Sequence, residues 1–148
     1  MTAGRRLRDD RTVGAALRTI GFARLAFLAS AWLFLACIVI QTFLVGLDVF
    51  ARLGGSIHRD FAYVYGWLAP ILVLLGGSAR MPSGVRWLTV ALLVVFAVQT
   101  VLPSLDEEFP VLAALHPVNA LLIFALAIVV ARRTTDTIRR QVSMIAEP

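Results

Sequence analysis

The sequence predicts an all-α, polytopic membrane protein, a four-transmembrane-helix bundle built as a duplicated helical hairpin. Three observations predict it. Four apolar runs carry no charge, the arginines cluster at alternate connections between those runs, and rare polar residues coincide when the chain is slid along itself so that His58 falls on His116.

Hydrophobic residues make up 59% of the 148 and charged residues only 16%, with a mean hydropathy of +0.85. That balance is far from a soluble domain's. The charge-free runs are 25–47, 61–79, 87–105 and 109–131. At about 1.5 Å of rise per residue, about 20 residues cross a hydrocarbon core of about 30 Å, so each run can span. Strands are excluded as spanning elements, because the runs lack polar alternation and an open sheet leaves backbone groups unpaired in lipid. The expected organisation is a basic tail over 1–24, a transmembrane domain over 25–131 with helices at about 25–50, 57–79, 86–105 and 110–131, and a C-terminal tail over 132–148.

The first run follows Arg5, Arg6, Arg8, Arg11, Arg18 and Arg24. A cleaved signal peptide shares that pattern, but this apolar run continues to Leu47, too long for a signal core and long enough to span. Arg80 and Arg86 lie between the second and third runs, and Arg132, Arg133, Arg139 and Arg140 follow the fourth. The opposite connections hold only Arg52 and Arg59 among basic residues, with Asp48, Asp60, Asp106, Glu107 and Glu108. The positive-inside rule therefore places both termini in the cytoplasm. The same bias accounts for the net charge of +5 without a nucleic-acid partner. Cys37, in mid-span and without a second cysteine, reads as packing.

Two prolines bear on the second hairpin and its counterpart. Pro70 lies in mid-span and Pro117 directly follows His116, and each removes a backbone donor. A fourth helix starting at Pro117 is too short to span, so it is expected to start near Pro110 and bend at 117. Equal depth for His58 then requires helix above Phe61, with Gly54-Gly55-Ser56 ending that extension.

Sliding the chain also brings Gln41 onto Gln99, Thr42 onto Thr100 and Asp48 onto Asp106. The histidine match is the informative one, since the chain has only these 2. A duplicated hairpin relates its halves by an approximate two-fold axis along the membrane normal, so equivalent residues lie at equal depth. His58 and His116 are then expected to face each other, with Gln41 and Gln99 beside them. Helical spacing puts Ala62, Tyr65, Ala69 and Gly76 below His58, and Asn119, Ala120, Ile123 and Ala127 below His116. Small residues there allow either close helix approach or a slot for a flat ligand.

Polar residues inside a membrane domain are costly and face the bundle interior, which makes these candidates for function. Imidazole is a common axial ligand of haem iron, and facing histidines of a four-helix bundle can hold a haem edge-on. On that reading His58 and His116 are the ligands, Gln41, Gln99 and Asn119 orient them, and Arg52 and Arg59 meet the propionates. The competing reading is structural: the histidines bond loop backbone or each other, and the glutamines join helices. A small transporter using the same cluster is a third. No phosphate loop, zinc spacing or hydrolase nucleophile motif is present.

Gln41 with Gly46, Ile57-His58-Arg59, Gln99, and His116 with Ala120 resemble one four-helix half of the heme A synthase family over roughly residues 25 to 131. Each half of that family holds a haem between paired histidines. The chain also resembles small bacterial four-span proteins of unknown function that carry the same Gln, His and His-Pro-x-Asn-Ala elements, here His116-Pro117-Val118-Asn119-Ala120. The synthase likeness implies a bis-histidine haem protein with a redox or haem-handling role, partnered by a membrane redox protein or by its own copies; the likeness to the small proteins implies the bacterial cytoplasmic membrane and brings no assigned activity. The acidic residue that the synthase family carries shortly before its second-helix histidine is absent from 52–56, and the second half is missing. No catalytic activity of the chain's own is expected.

Overall fold

The computed structural model describes residues 21–52 and 57–146. Most of the expected basic tail and the Gly54-Gly55-Ser56 segment lie outside the described residues. The architecture is all-helical, with no strand among the described residues. In chain order come α1 (Phe22–Phe50), α2 (Ile57–Tyr65), α3 (Leu68–Ser78), α4 (Ser83–Val101), a 3-10 turn (Leu102–Leu105), α5 (Pro110–Ala113) and α6 (His116–Ala146). They form four helical spans long and apolar enough to cross a membrane: Phe22–Phe50, Ile57–Ser78, Ser83–Leu105 and Pro110–Met144. Large apolar side chains cover the outside, among them Val64, Trp67, Leu74, Trp87 and Leu121, each about 70% exposed. Water does not tolerate such a continuous apolar belt, whereas lipid does.

The spans close into an up-down-up-down ring, α1 against α3, α3 against α4, α4 against α6 and α6 against α1. Each span turns one stripe inward at alternating steps of three and four residues, the spacing that brings one helix face repeatedly to the same seam. The stripes are Phe27, Ala31, Phe34 and Ile38; Tyr65, Ala69, Leu72 and Ala79; Val85, Thr89, Leu92 and Phe96; and Ile123, Ala127, Val130 and Thr134, all buried. The buried threonine hydroxyls are satisfied within their own helices, Thr89 donating to the Arg86 carbonyl and Thr134 to the Val130 carbonyl, each at 2.7 Å.

The second span is broken where the sequence demands it. Pro70 has no N–H for the Gly66 carbonyl, which instead accepts from the Ala69 amide at 3.1 Å, and α2 ends one residue earlier. Gly66 is required there: a Cβ would lie 2.8 Å from the Ala62 carbonyl oxygen and 3.0 Å from the Phe96 ring. At Gly76 the Phe27 ring is 3.4 Å from where a Cβ would stand. At these two glycines the small residues make room for phenyl rings. The fourth span begins with Pro110 in α5, turns at Ala114 and Leu115, and resumes at His116.

One feature departs from the expected organisation. Residues beyond Ala131 are the continuation of α6 rather than a separate tail, because Thr134 and Ile138 extend its inward stripe and are buried. This extension meets the start of α1: Trp32 donates from Nε1 to Thr135 Oγ1 at 3.2 Å, and Arg24 bonds Gln141 Oε1. Arg24 also donates from Nε to the Ala79 carbonyl at 3.1 Å. It thereby ties three spans together at what is here termed the basic end.

That carbonyl belongs to the cap of α3. The Met81 amide donates to the Gly76 carbonyl and the Arg80 amide to the Gly77 carbonyl, a Schellman arrangement with Arg80 at φ 48° where glycine is usual. The left-handed conformation costs an L residue about 1–2 kcal/mol, so Arg80→Gly is expected to raise stability by about 1 kcal/mol. Gly66→Ala should lower it by about 2 kcal/mol or more through overpacking. Both are read from reversible unfolding in mixed detergent micelles followed by far-ultraviolet circular dichroism.

Candidate functional site

The inward stripes change character toward the other end of the bundle. On α1, Ile38 is followed after three residues by Gln41, and seven further on by Asp48. On the second span the stripe rises from Tyr65 through Ala62 to His58, on the third from Phe96 to Gln99, and on the fourth from Ile123 through Asn119 to His116. The same spacing that packs leucine and phenylalanine at the basic end therefore gathers amide, carboxyl and imidazole groups at this histidine end. Phe34, Tyr65 and Phe96 form a floor beneath them, with ring centroids 5.7 to 5.8 Å apart and tilted or edge-on geometry.

His116 sits in a closed network. Its Nδ1 lies 3.2 Å from the Gln99 carbonyl oxygen and its Nε2 lies 3.1 Å from Gln99 Nε2. A carbonyl only accepts, so Nδ1 carries the proton, and the Nε2 lone pair accepts from the Gln99 amide. Asn119 completes the arrangement by donating from Nδ2 to Gln99 Oε1 at 2.7 Å and to the Val95 carbonyl at 3.0 Å. Gln99, His116 and Asn119, three of the residues singled out from the sequence, thus join the third span to the fourth.

His58 is held differently. Its Nδ1 lies 2.5 Å from Asp48 Oδ2, and the Asp48 side chain is only 7% exposed. The carboxylate accepts the Nδ1 proton, so the ring is oriented through the same nitrogen as in His116. Asp48 Oδ1 and Gln41 Oε1 are both buried without a hydrogen-bond partner, two acceptors on one helix face that lack donors. The two imidazoles stand on diagonally opposite spans of the ring.

The remaining candidates are peripheral. Arg52 follows the end of α1 with φ 53° and is exposed. Arg59 is exposed with its Nε 4.0 Å from Asp60 Oδ1, a surface contact worth little. Asp48 is the site residue that sequence reasoning missed, having been counted with the connecting segment. Its signal was present: seven residues from Gln41 is two helical turns on the same face. The expected match of the two halves is not repeated in these partners, since Asp106, the counterpart of Asp48, is exposed, and His116 is held by Gln99 instead. Among the described residues no three His, Cys, Asp or Glu side chains gather as a cage for a metal ion.

Asn119→Ala leaves Gln99 Oε1 without its donor and loosens the third span from the fourth. Polar contacts between membrane helices contribute about 1–2 kcal/mol at most, and a loss of that size is expected in detergent unfolding, with Asn119→Asp no better because a carboxylate cannot donate.

Residues 41–105 match the model of a family of unknown function, DUF6220. The matched stretch is shorter than half of the chain; it takes in Gln41, Asp48, His58 and Gln99 and ends before His116 and Asn119. The description assigns no activity, in keeping with the expected likeness to proteins of unknown function. No curated protein and no solved structure matches the chain.

Proposed function

We propose that the chain is a bis-histidine haem-binding protein of the bacterial cytoplasmic membrane, with the basic end and both termini on the cytoplasmic side and a redox or haem-handling role. The observation that carries the reading is the shared anchoring of the imidazoles. Each is oriented through Nδ1, one by the Asp48 carboxylate and one by the Gln99 carbonyl. Histidines that bind metals are oriented by such a partner on the other ring nitrogen, which fixes the tautomer and raises ligand basicity. Both rings would therefore offer Nε2 as the coordinating atom, and in His116 that lone pair accepts from the Gln99 amide. The donor set fits haem iron.

His58 and His116 would hold the group, Asp48 and Gln99 would keep their rings turned, and Arg52 and Arg59 stand exposed at the same end for its carboxylates. Haem bound there would supply one-electron redox chemistry. The Gln99 amide must leave His116 Nε2, and Asn119 is placed to keep hold of Gln99 Oε1 as it does so. A membrane redox protein or a second copy of the chain is the partner that this role calls for.

A second reading is favoured by one observation. The Gln99 amide already satisfies His116 Nε2, as in a cofactor-free structural or accessory subunit whose polar network only joins helices. An absorption spectrum of protein purified in detergent from a haem-competent host separates the two. The haem reading expects a Soret band that His58→Ala and His116→Ala each abolish, and Asp48→Ala weakens haem retention about 10- to 100-fold, the usual effect of removing an outer-shell partner. A colourless preparation of well-folded protein that takes up no added hemin overturns it in favour of the structural reading.

A further inference from the structure

Beyond the histidine end, we infer that the groove between α1 and the extension of α6 at the basic end binds the phosphate headgroup of an anionic phospholipid. The groove is about 380 Å³ and is lined by Trp32, Arg132, Thr135, Asp136 and Arg139. Arg132 and Arg139 are seven residues apart and share one face of α6. Both are exposed, and among the described residues neither enters an ion pair with Asp136 or any other acid. The groove thus holds two guanidinium groups against one carboxylate.

The surroundings have the shape of an amphiphile. Trp32 is half-exposed, and its indole N–H is held by Thr135 so that the ring stands at the groove edge. Tryptophan favours the level of lipid headgroups, where its ring meets both apolar and polar surroundings. From Trp32 toward the histidine end, Ala36, Val39 and Ile40 continue an exposed apolar lane along α1, and Val129 stands one turn above Arg132 on α6. Acyl chains lie along that lane while the phosphate meets the arginines. Guanidinium forks suit phosphate oxygens, and basic pockets between membrane helices recognise anionic headgroups in this way. A free phosphate would use the arginines and leave the lane unused.

The test uses full-length protein carrying Trp67→Phe and Trp87→Phe, so that Trp32 is the single tryptophan and is excited selectively over the tyrosines, reconstituted in bilayers containing brominated phosphatidylglycerol or brominated phosphatidylcholine. Quenching of Trp32 is expected to show a preference for phosphatidylglycerol of about tenfold or more, from the attraction of two basic residues. Arg132→Gln with Arg139→Gln should bring the ratio near one, and Arg132→Lys with Arg139→Lys should retain most of it. The neighbouring pair Arg133→Gln with Arg140→Gln, which faces a separate groove beside Pro82 and Gly84, removes the same charge and should change little. The inference is overturned if the unaltered arginines give no preference, if both Gln pairs abolish it equally, or if millimolar inorganic phosphate relieves the quenching.

Discussion

Everything in this molecule depends on one seam, where each of four spans turns a single stripe inward at alternating steps of three and four residues. In lipid there is no gain in hiding one apolar face from another, so the spans are held by close packing and by polar contacts between helices. The lower part of the seam uses the first means, with Phe27, Phe34, Leu72 and Leu92 almost fully buried. The upper part uses the second, through the bonds from His58 to Asp48, between Gln99 and His116, and from Asn119 to Gln99. The Phe34, Tyr65 and Phe96 rings separate the two regimes.

Much of this was legible in the sequence because the membrane imposes simple rules. Apolar length gave the four spans, and the missing donors of Pro70 and Pro117 gave the breaks at Gly66 and Leu115. Burial of Tyr65, Ala69, Ile123 and Ala127 follows from their spacing to the histidines. Side-chain pairing was harder to see. Asp48 was counted with the connecting acids because it follows the charge-free run, although the expected helix over 25–50 includes it; what the sequence left unseen is that its carboxyl turns inward to His58. The extension of α6 was hidden for the opposite reason: its arginines suggested a solvated tail, while the buried Thr134 and Ile138 on its other face carry the packing.

The two ends of the molecule handle charge in contrasting ways. At the histidine end, Asp48 and the two imidazoles turn inward and bond through defined atoms, while Arg52, Arg59 and the acids of the connections stay outside. At the basic end, the guanidinium groups of Arg132, Arg133, Arg139 and Arg140 face outward, while Arg24 is committed to carbonyl and amide oxygens of neighbouring spans. The proposed haem site and the proposed lipid site each follow from that division. Neither needs the other, since the aromatic floor and the apolar seam lie between them.

The break at Gly66 makes the mounting of the two imidazoles unequal. His116 heads a single rod that runs without interruption to Ala146. His58 rides on a nine-residue segment that is jointed to the shaft below it. A small displacement of the His58 ring can therefore be taken up at that joint, whereas a displacement of the His116 ring has to carry the whole of α6 with it.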